Sequence, residues 1–136
     1  MTRNIIILDT NIWISYLLSR KYDILANIIL SNKLDIVTCN NLITEISEVL
    51  QREKFRKYVS KKDIEEAILI HIKLCRFIEI EMKSDYLSDK KDNYLIDLYQ
   101  TSKAALLVTG DKKVLEQAPK FGIFAITLKQ FEDKYP

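Results

Sequence analysis

Apolar residues recur along the chain in two alternating patterns. Short continuous or alternating runs, IIIL at 5–8, LDIVTC at 34–39, FIEIEM at 77–82, ALLVTGD at 105–111 and IFAIT at 123–127, predict strands. Between them, apolar positions spaced by three and four residues predict helices over 10–19, 22–32, 42–55, 60–77 and 93–105, with two short ones at 112–118 and 128–135. The pairs Ile24 with Ile28 and Leu25 with Ile29 mark the second helix, and Leu42, Ile46, Val49 and Leu50 the third. Asn32 reads as a helix stop, Asn40 and Asn41 as a turn or cap, and Gly122 as a turn. Ser60 with Asp63 resembles a capping box that uses Asp in place of Glu or Gln.

The first strand is apolar throughout, as a strand is when helices cover both faces of a parallel sheet. Strands that alternate with helices require right-handed crossovers. The expected architecture is a three-layer α/β/α sandwich around a central parallel five-stranded sheet. The helix from Ser60 should turn one face, formed by Ile64, Ala67, Ile68, His71, Ile72 and Cys75, toward the core. His71 is the one histidine of the chain. A lone histidine on a core face is expected to be packed and hydrogen-bonded, and it is left out of the site.

Composition narrows this picture without redirecting it. A chain of 136 residues with 48% hydrophobic and 29% charged residues suits one globular domain spanning 1–136. Two glycines and two prolines leave no room for a glycine-rich phosphate loop or a long linker. The N-terminal apolar run breaks at Asp9, too soon for a signal peptide or a membrane span, so a cytoplasmic protein without a membrane role is expected. Cys39 and Cys75, far apart in sequence, read as two reduced thiols. The formal net charge is only +2, but residues 51–62 hold six cations against the single anion Glu53. The rest of the chain is therefore mildly acidic, and the basic stripe is a candidate contact for a phosphate backbone.

Candidate chemistry comes from where the acids fall. In a parallel α/β sheet every strand-to-helix junction lies at one edge, where such folds bind their ligands. Asp9 ends the first strand, Glu45 lies near the start of the helix after the second, Asp92 opens the helix after the third, and Asp111 follows the fourth. Four of the five junctions thus bring a carboxylate to one crevice. Crowded carboxylates need protons or cations to compensate them, and an all-oxygen donor set without Cys or His selects Mg²⁺ or Mn²⁺ over zinc. The chemistry that follows is hydrolysis of a phosphodiester. Arg52, Lys54, Arg56 and Lys57, directly after the helix of Glu45, are the candidate contacts for its phosphate backbone.

Taken together, LDTNIWIS at 8–15, LITEISEVLQREKF with Glu45, DKKDNYLIDL at 89–98 and LLVTGDKKVL at 106–115 resemble the PIN-domain ribonucleases, in particular the small VapC-like toxins of toxin-antitoxin pairs. The resemblance covers nearly the whole chain. It implies the strand order 3-2-1-4-5, which puts the first and fourth strands side by side at the reversal of the sheet. It also implies that Asp9, Glu45, Asp92 and Asp111 are catalytic and bind one or two Mg²⁺ or Mn²⁺ ions. Asn11, Thr109 and, as an outer ligand, Asp89 would support them. Many relatives carry a further Asp two positions after the last acid, where this chain has Lys113. The resemblance further implies an RNA substrate, an antitoxin partner and a homodimer. Two alternatives remain open: a PIN-like module that binds RNA or protein without cutting, and a haloacid-dehalogenase-like phosphatase. The latter normally has a second Asp where this chain has Asn11.

Overall fold

Residues Ile5–Leu8 form β1, the middle strand of a five-stranded parallel sheet in the computed structural model of the chain, which describes residues 4–81 and 93–136. The other strands are β2 (Asp35–Thr38), β3 (Cys75–Phe77), β4 (Leu106–Val108) and β5 (Ala125–Ile126), in the spatial order β3-β2-β1-β4-β5. Ile6, Ile7 and Leu8 are fully buried, which is why this stretch tolerates no polar residue until the strand ends. Its neighbours register as Ile5 opposite Asp35 on one side and Leu8 opposite Val108 on the other. The reversal of the sheet therefore lies between β1 and β4, as expected.

Seven α-helices occur among the described residues: α1 (Thr10–Leu18), α2 (Tyr22–Asn32), α3 (Asn40–Leu50), α4 (Lys61–Leu74), α5 (Asn93–Ser102), α6 (Lys112–Gln117) and α7 (Leu128–Lys134). The α2 stop is Lys33 in the left-handed conformation at φ 53°, while Asn32 turns its amide back to the Ile28 carbonyl. Ser60 and Asp63 form the expected capping box at the start of α4. On α3, Leu42, Ile46 and Leu50 are buried and Val49 is half-buried, so the apolar stripe lies where its spacing puts it.

Two boundaries and one buried face depart from the sequence expectation. The helix with Glu45 ends at Leu50 rather than running to Phe55; the basic segment is a short 3-10 turn (Glu53–Phe55) and a loop leading to Ser60. Val59 is buried and Phe55 packs partly on the core, and the charged positions between them offer no helical apolar stripe to extend α3. The third strand is Cys75–Phe77, not 77–82, and it follows α4 without a loop. Pairing explains this: β2 ends at Thr38 opposite Phe77, and after the Ile78 amide donates to the Thr38 carbonyl (2.8 Å) no partner strand continues. The alternation in FIEIEM is real, but it has no strand to pair with. Finally, Ile72 is 52% exposed, so the buried face of α4 is narrower than its spacing suggests.

His71 is buried, with a ring nitrogen 2.7 Å from the Thr38 hydroxyl and its imidazole edge-on to Trp13 at 4.3 Å. Trp13 in turn donates its indole N–H to the Leu8 carbonyl at 3.0 Å. This aromatic cluster ties the ends of β1 and β2 together just beneath Asp9. The Cys75 thiol stands 4.0 Å from the other imidazole nitrogen, and both cysteines are free thiols. No helix among the described residues is long and apolar enough to cross a membrane.

Candidate functional site

The end of β1 places Asp9 where two elements begin and end at once. Its backbone N–H still donates to the Val108 carbonyl of β4 (2.9 Å), so the residue is held as the last rung of the sheet. Its side chain caps α1, accepting from the Thr10 amide at 2.7 Å. Its other oxygen accepts the Thr109 hydroxyl at 2.7 Å, and the Asn11 amide lies 3.5 Å from the same atom.

Thr109 is buried just past β4, and its hydroxyl oxygen also accepts from the Asp111 amide at 3.1 Å. One hydroxyl thereby couples two acids from different junctions. Asn11 spans the same gap, because its side-chain oxygen accepts the Gly110 amide at 2.9 Å. A Cβ at position 110 would come to 3.3 Å from that oxygen, which is why the turn between Thr109 and Asp111 favours glycine. Asp111 is half-buried and caps α6 through the Lys113 amide (2.9 Å). Asn11 and Thr109 are thus both integral to the junction of β1 and β4.

Glu45 reaches the same crevice from α3. Its carboxylate accepts the Tyr94 hydroxyl of α5 at 2.7 Å. Burial pushes the Asp9 carboxyl up to about 6; the hydrogen bonds from Thr109 and Thr10 pull it down, and the charges of Glu45 and Asp111 push it up further. Asp9, Glu45 and Asp111 therefore share one electrostatic environment. The Tyr94 phenol is driven strongly upward, chiefly by burial and then by Glu45 and Asp9, so it stays a neutral donor.

Asp92 and Asp89 lie outside the described residues. Among the described residues no three His, Cys, Asp or Glu side chains stand close enough together to hold one ion between them. The donor set nevertheless suits a hard cation. Mg²⁺ is commonly held by one or two carboxylates with water completing its shell. Asp9, pushed toward protonation chiefly by its burial and further by the charges of Glu45 and Asp111, is the group a cation would relieve. The buried Thr10 hydroxyl lies beside the Tyr94 phenol, adding a further oxygen to this donor set.

Of the four proposed RNA-binding cations, one borders this crevice. Arg52 lines a cleft with Glu45 and Tyr94, whereas Arg56 lines a separate groove with Ser47, Leu50 and Lys61. Lys54 sits over the Phe55 ring at 5.0 Å, and Lys57 is exposed in the turn. Tyr94 is the main site residue that sequence reasoning missed. Its partner is 49 positions away, and a tyrosine in an apolar helix carries no local signal.

Residues 5–113 match the sequence profile of the PIN domain. No curated protein matches the chain. Among solved structures, the crystal structure of VapBC2 from Rickettsia felis bound to a DNA fragment from their promoter matches with a TM-score of 0.63 at 13% identity, covering 90% of this chain and 98% of that one. At that identity the likeness speaks for the fold alone.

Proposed function

Because the chain belongs to the PIN-domain family, we propose that it is a metal-dependent endoribonuclease and the toxin of a toxin-antitoxin pair, acting in the cytoplasm as a homodimer of single-domain chains spanning 1–136. The observation that carries the reading is the convergence of Asp9, Glu45 and Asp111, delivered by three junctions, on one crevice at the reversal of the sheet. The similarity of the fold to VapBC2 supports an antitoxin partner.

Asp9, Glu45 and Asp111, with Asp92 and the outer Asp89 from outside the described residues, are the groups to hold one or two Mg²⁺ or Mn²⁺ ions. Such an ion supplies Lewis acidity toward a phosphodiester oxygen and makes water a stronger acid. The protein's own part is positioning. Thr109 and Thr10 fix both oxygens of Asp9, so its remaining lone pairs face the crevice in one orientation. Tyr94 holds one oxygen of Glu45, and Asn11 holds the turn that carries Asp111. The phosphatase alternative fails here, since Asn11 spends its amide bridging the Gly110 backbone and Asp9 and cannot act as a second acid.

Tyr94→Phe removes only the hydroxyl. It is expected to lower Mn²⁺ affinity and cleavage by about tenfold to a hundredfold, the usual effect of losing a group that orients a ligand. The melting temperature should barely move, because Glu45 is half-buried and regains water. Mn²⁺ titrations of both proteins with parallel thermal melts check this.

The functional test is incubation of the purified protein with single-stranded and structured RNAs, with and without Mn²⁺. Metal-dependent cutting supports the ribonuclease. RNA binding without cutting under every metal condition replaces it with the inert module; Lys113, in place of a fifth acid, bears on the second ion more than on the first.

A further inference from the structure

Asn41, Glu45 and Glu48 follow one another on α3 at spacings of four and three, and Arg52 lies four residues further on, just past the helix. At that spacing they share one side of the helix axis. They line a cleft of about 370 Å³ together with Thr44 and Tyr94. The track starts at Asn41, passes the candidate catalytic acid Glu45 and ends at the first cation of the basic stripe. Its volume falls at the lower end of the range for small-ligand sites, roughly 300–1,000 Å³.

The chemistry of the lining is mixed in a particular order. Arg52, at the far end, offers a planar fork that matches a phosphate. Asn41 and Thr44 offer both donors and acceptors. Glu48, between Glu45 and Arg52, offers acceptors only and repels a phosphate placed beside it. A phosphate at Arg52 with an amine-bearing group at Glu48 satisfies all of these, and a nucleotide carries both.

We propose that this cleft seats one nucleotide of single-stranded RNA next to the bond to be cut, with Arg52 on its phosphate and Asn41, Thr44 and Glu48 on its base edge. The proposal rests on the ribonuclease reading. A base must be splayed out of a helix for its edge to be read, which excludes duplex RNA. Glu48 favours bases with an exocyclic amine, as in cytosine, adenine and guanine, over uracil, which has none. The cleft thus confers base preference, and the remaining cations of the stripe contribute charge alone.

Fluorescence anisotropy of metal-free protein with five-nucleotide cytidine and uridine RNAs, paired with KM and kcat for Mn²⁺-dependent cleavage, tests the assignment. Arg52→Ala is expected to weaken binding and raise KM by about tenfold at nearly constant kcat. It should also reduce the slope of log affinity against log salt by about 0.7, the share of one phosphate on a single strand. Glu48→Gln should erase the preference for cytidine over uridine. Both side chains are exposed, so neither change should alter the melting temperature. Lys33→Asn is the control: it removes a charge between α2 and β2, at the opposite edge of the sheet, in a left-handed position that Asn accepts. It should leave every value unchanged. If the wild type cuts RNA while Arg52→Ala keeps its KM and salt slope and Glu48→Gln keeps its base preference, the cleft assignment is overturned and the ribonuclease stands. A wild type that neither binds nor cuts RNA overturns both.

Discussion

Asp9→Asn is expected to abolish Mn²⁺-dependent RNA cleavage, by more than about a hundredfold, while making the metal-free protein more stable at pH 8. The two effects have one cause. Asp9 is 4% exposed and lies near two other carboxylates, so its carboxyl is raised from 3.8 to about 6. Between those values the folded protein holds a proton that the unfolded chain releases, so stability falls as pH rises from about 4 to about 6 and stays reduced above it. Two pKa units correspond to about 3 kcal/mol. Asn carries no charge and avoids this penalty. Part of the gain is lost because its amide nitrogen must donate to Thr109, which donated to the acid. A net gain of about 1–3 kcal/mol is therefore expected at pH 8, shrinking toward pH 4, as read from urea unfolding across that range. A gain that persists unchanged at pH 4 would show that Asp9 is not held near protonation in the fold.

His71→Leu should move the opposite way. Burial depresses the His71 imidazole from 6.5 to about 4. Within that window the unfolded chain binds a proton that the folded one excludes, so the histidine withholds stability as pH falls and restores it as pH rises toward 6.5. At pH 8 the variant is expected to be less stable by about 1–3 kcal/mol, since the buried Thr38 hydroxyl loses its partner. By pH 4.5 the difference should shrink or reverse, because the wild type then bears a cost of up to about 3 kcal/mol that leucine does not. The windows of Asp9 and His71 overlap with opposite slopes. The wild type should thus show a flatter stability profile between pH 4 and 6 than either variant, and paired urea titrations would reveal it.

The placement of Asp9 was legible because an unbroken apolar run before an acid has only one physical solution in a covered parallel sheet, burial of the run and release of the acid at the edge. The fate of His71 followed similarly from its place on a helical core face. What local pattern does not encode is pairing. FIEIEM alternates like a strand, but β2 has no residue after Thr38 to receive it, so the strand forms two residues earlier. The order 3-2-1-4-5 came with the family resemblance, since alternation alone allows other orders. The same limit hid Tyr94, whose role depends on Glu45 arriving from α3. Asp9 also caps α1, a second task for the same carboxylate that its place at a strand end does not announce. Asp92 and Asp89 fall outside the described residues, so their place in the site rests on sequence.

The central claim is that Asp9 anchors a metal centre, and calorimetric titration of Mn²⁺ into the wild type and Asp9→Asn at pH 6 tests it most directly. Saturable binding is expected in the wild type, with release of up to about half a proton as the raised carboxyl of Asp9 is ionised by the metal, visible when buffers of different ionisation enthalpy are compared. The variant should bind at least about tenfold more weakly and release none. Equal binding by both proteins, or no binding by the wild type, would contradict it.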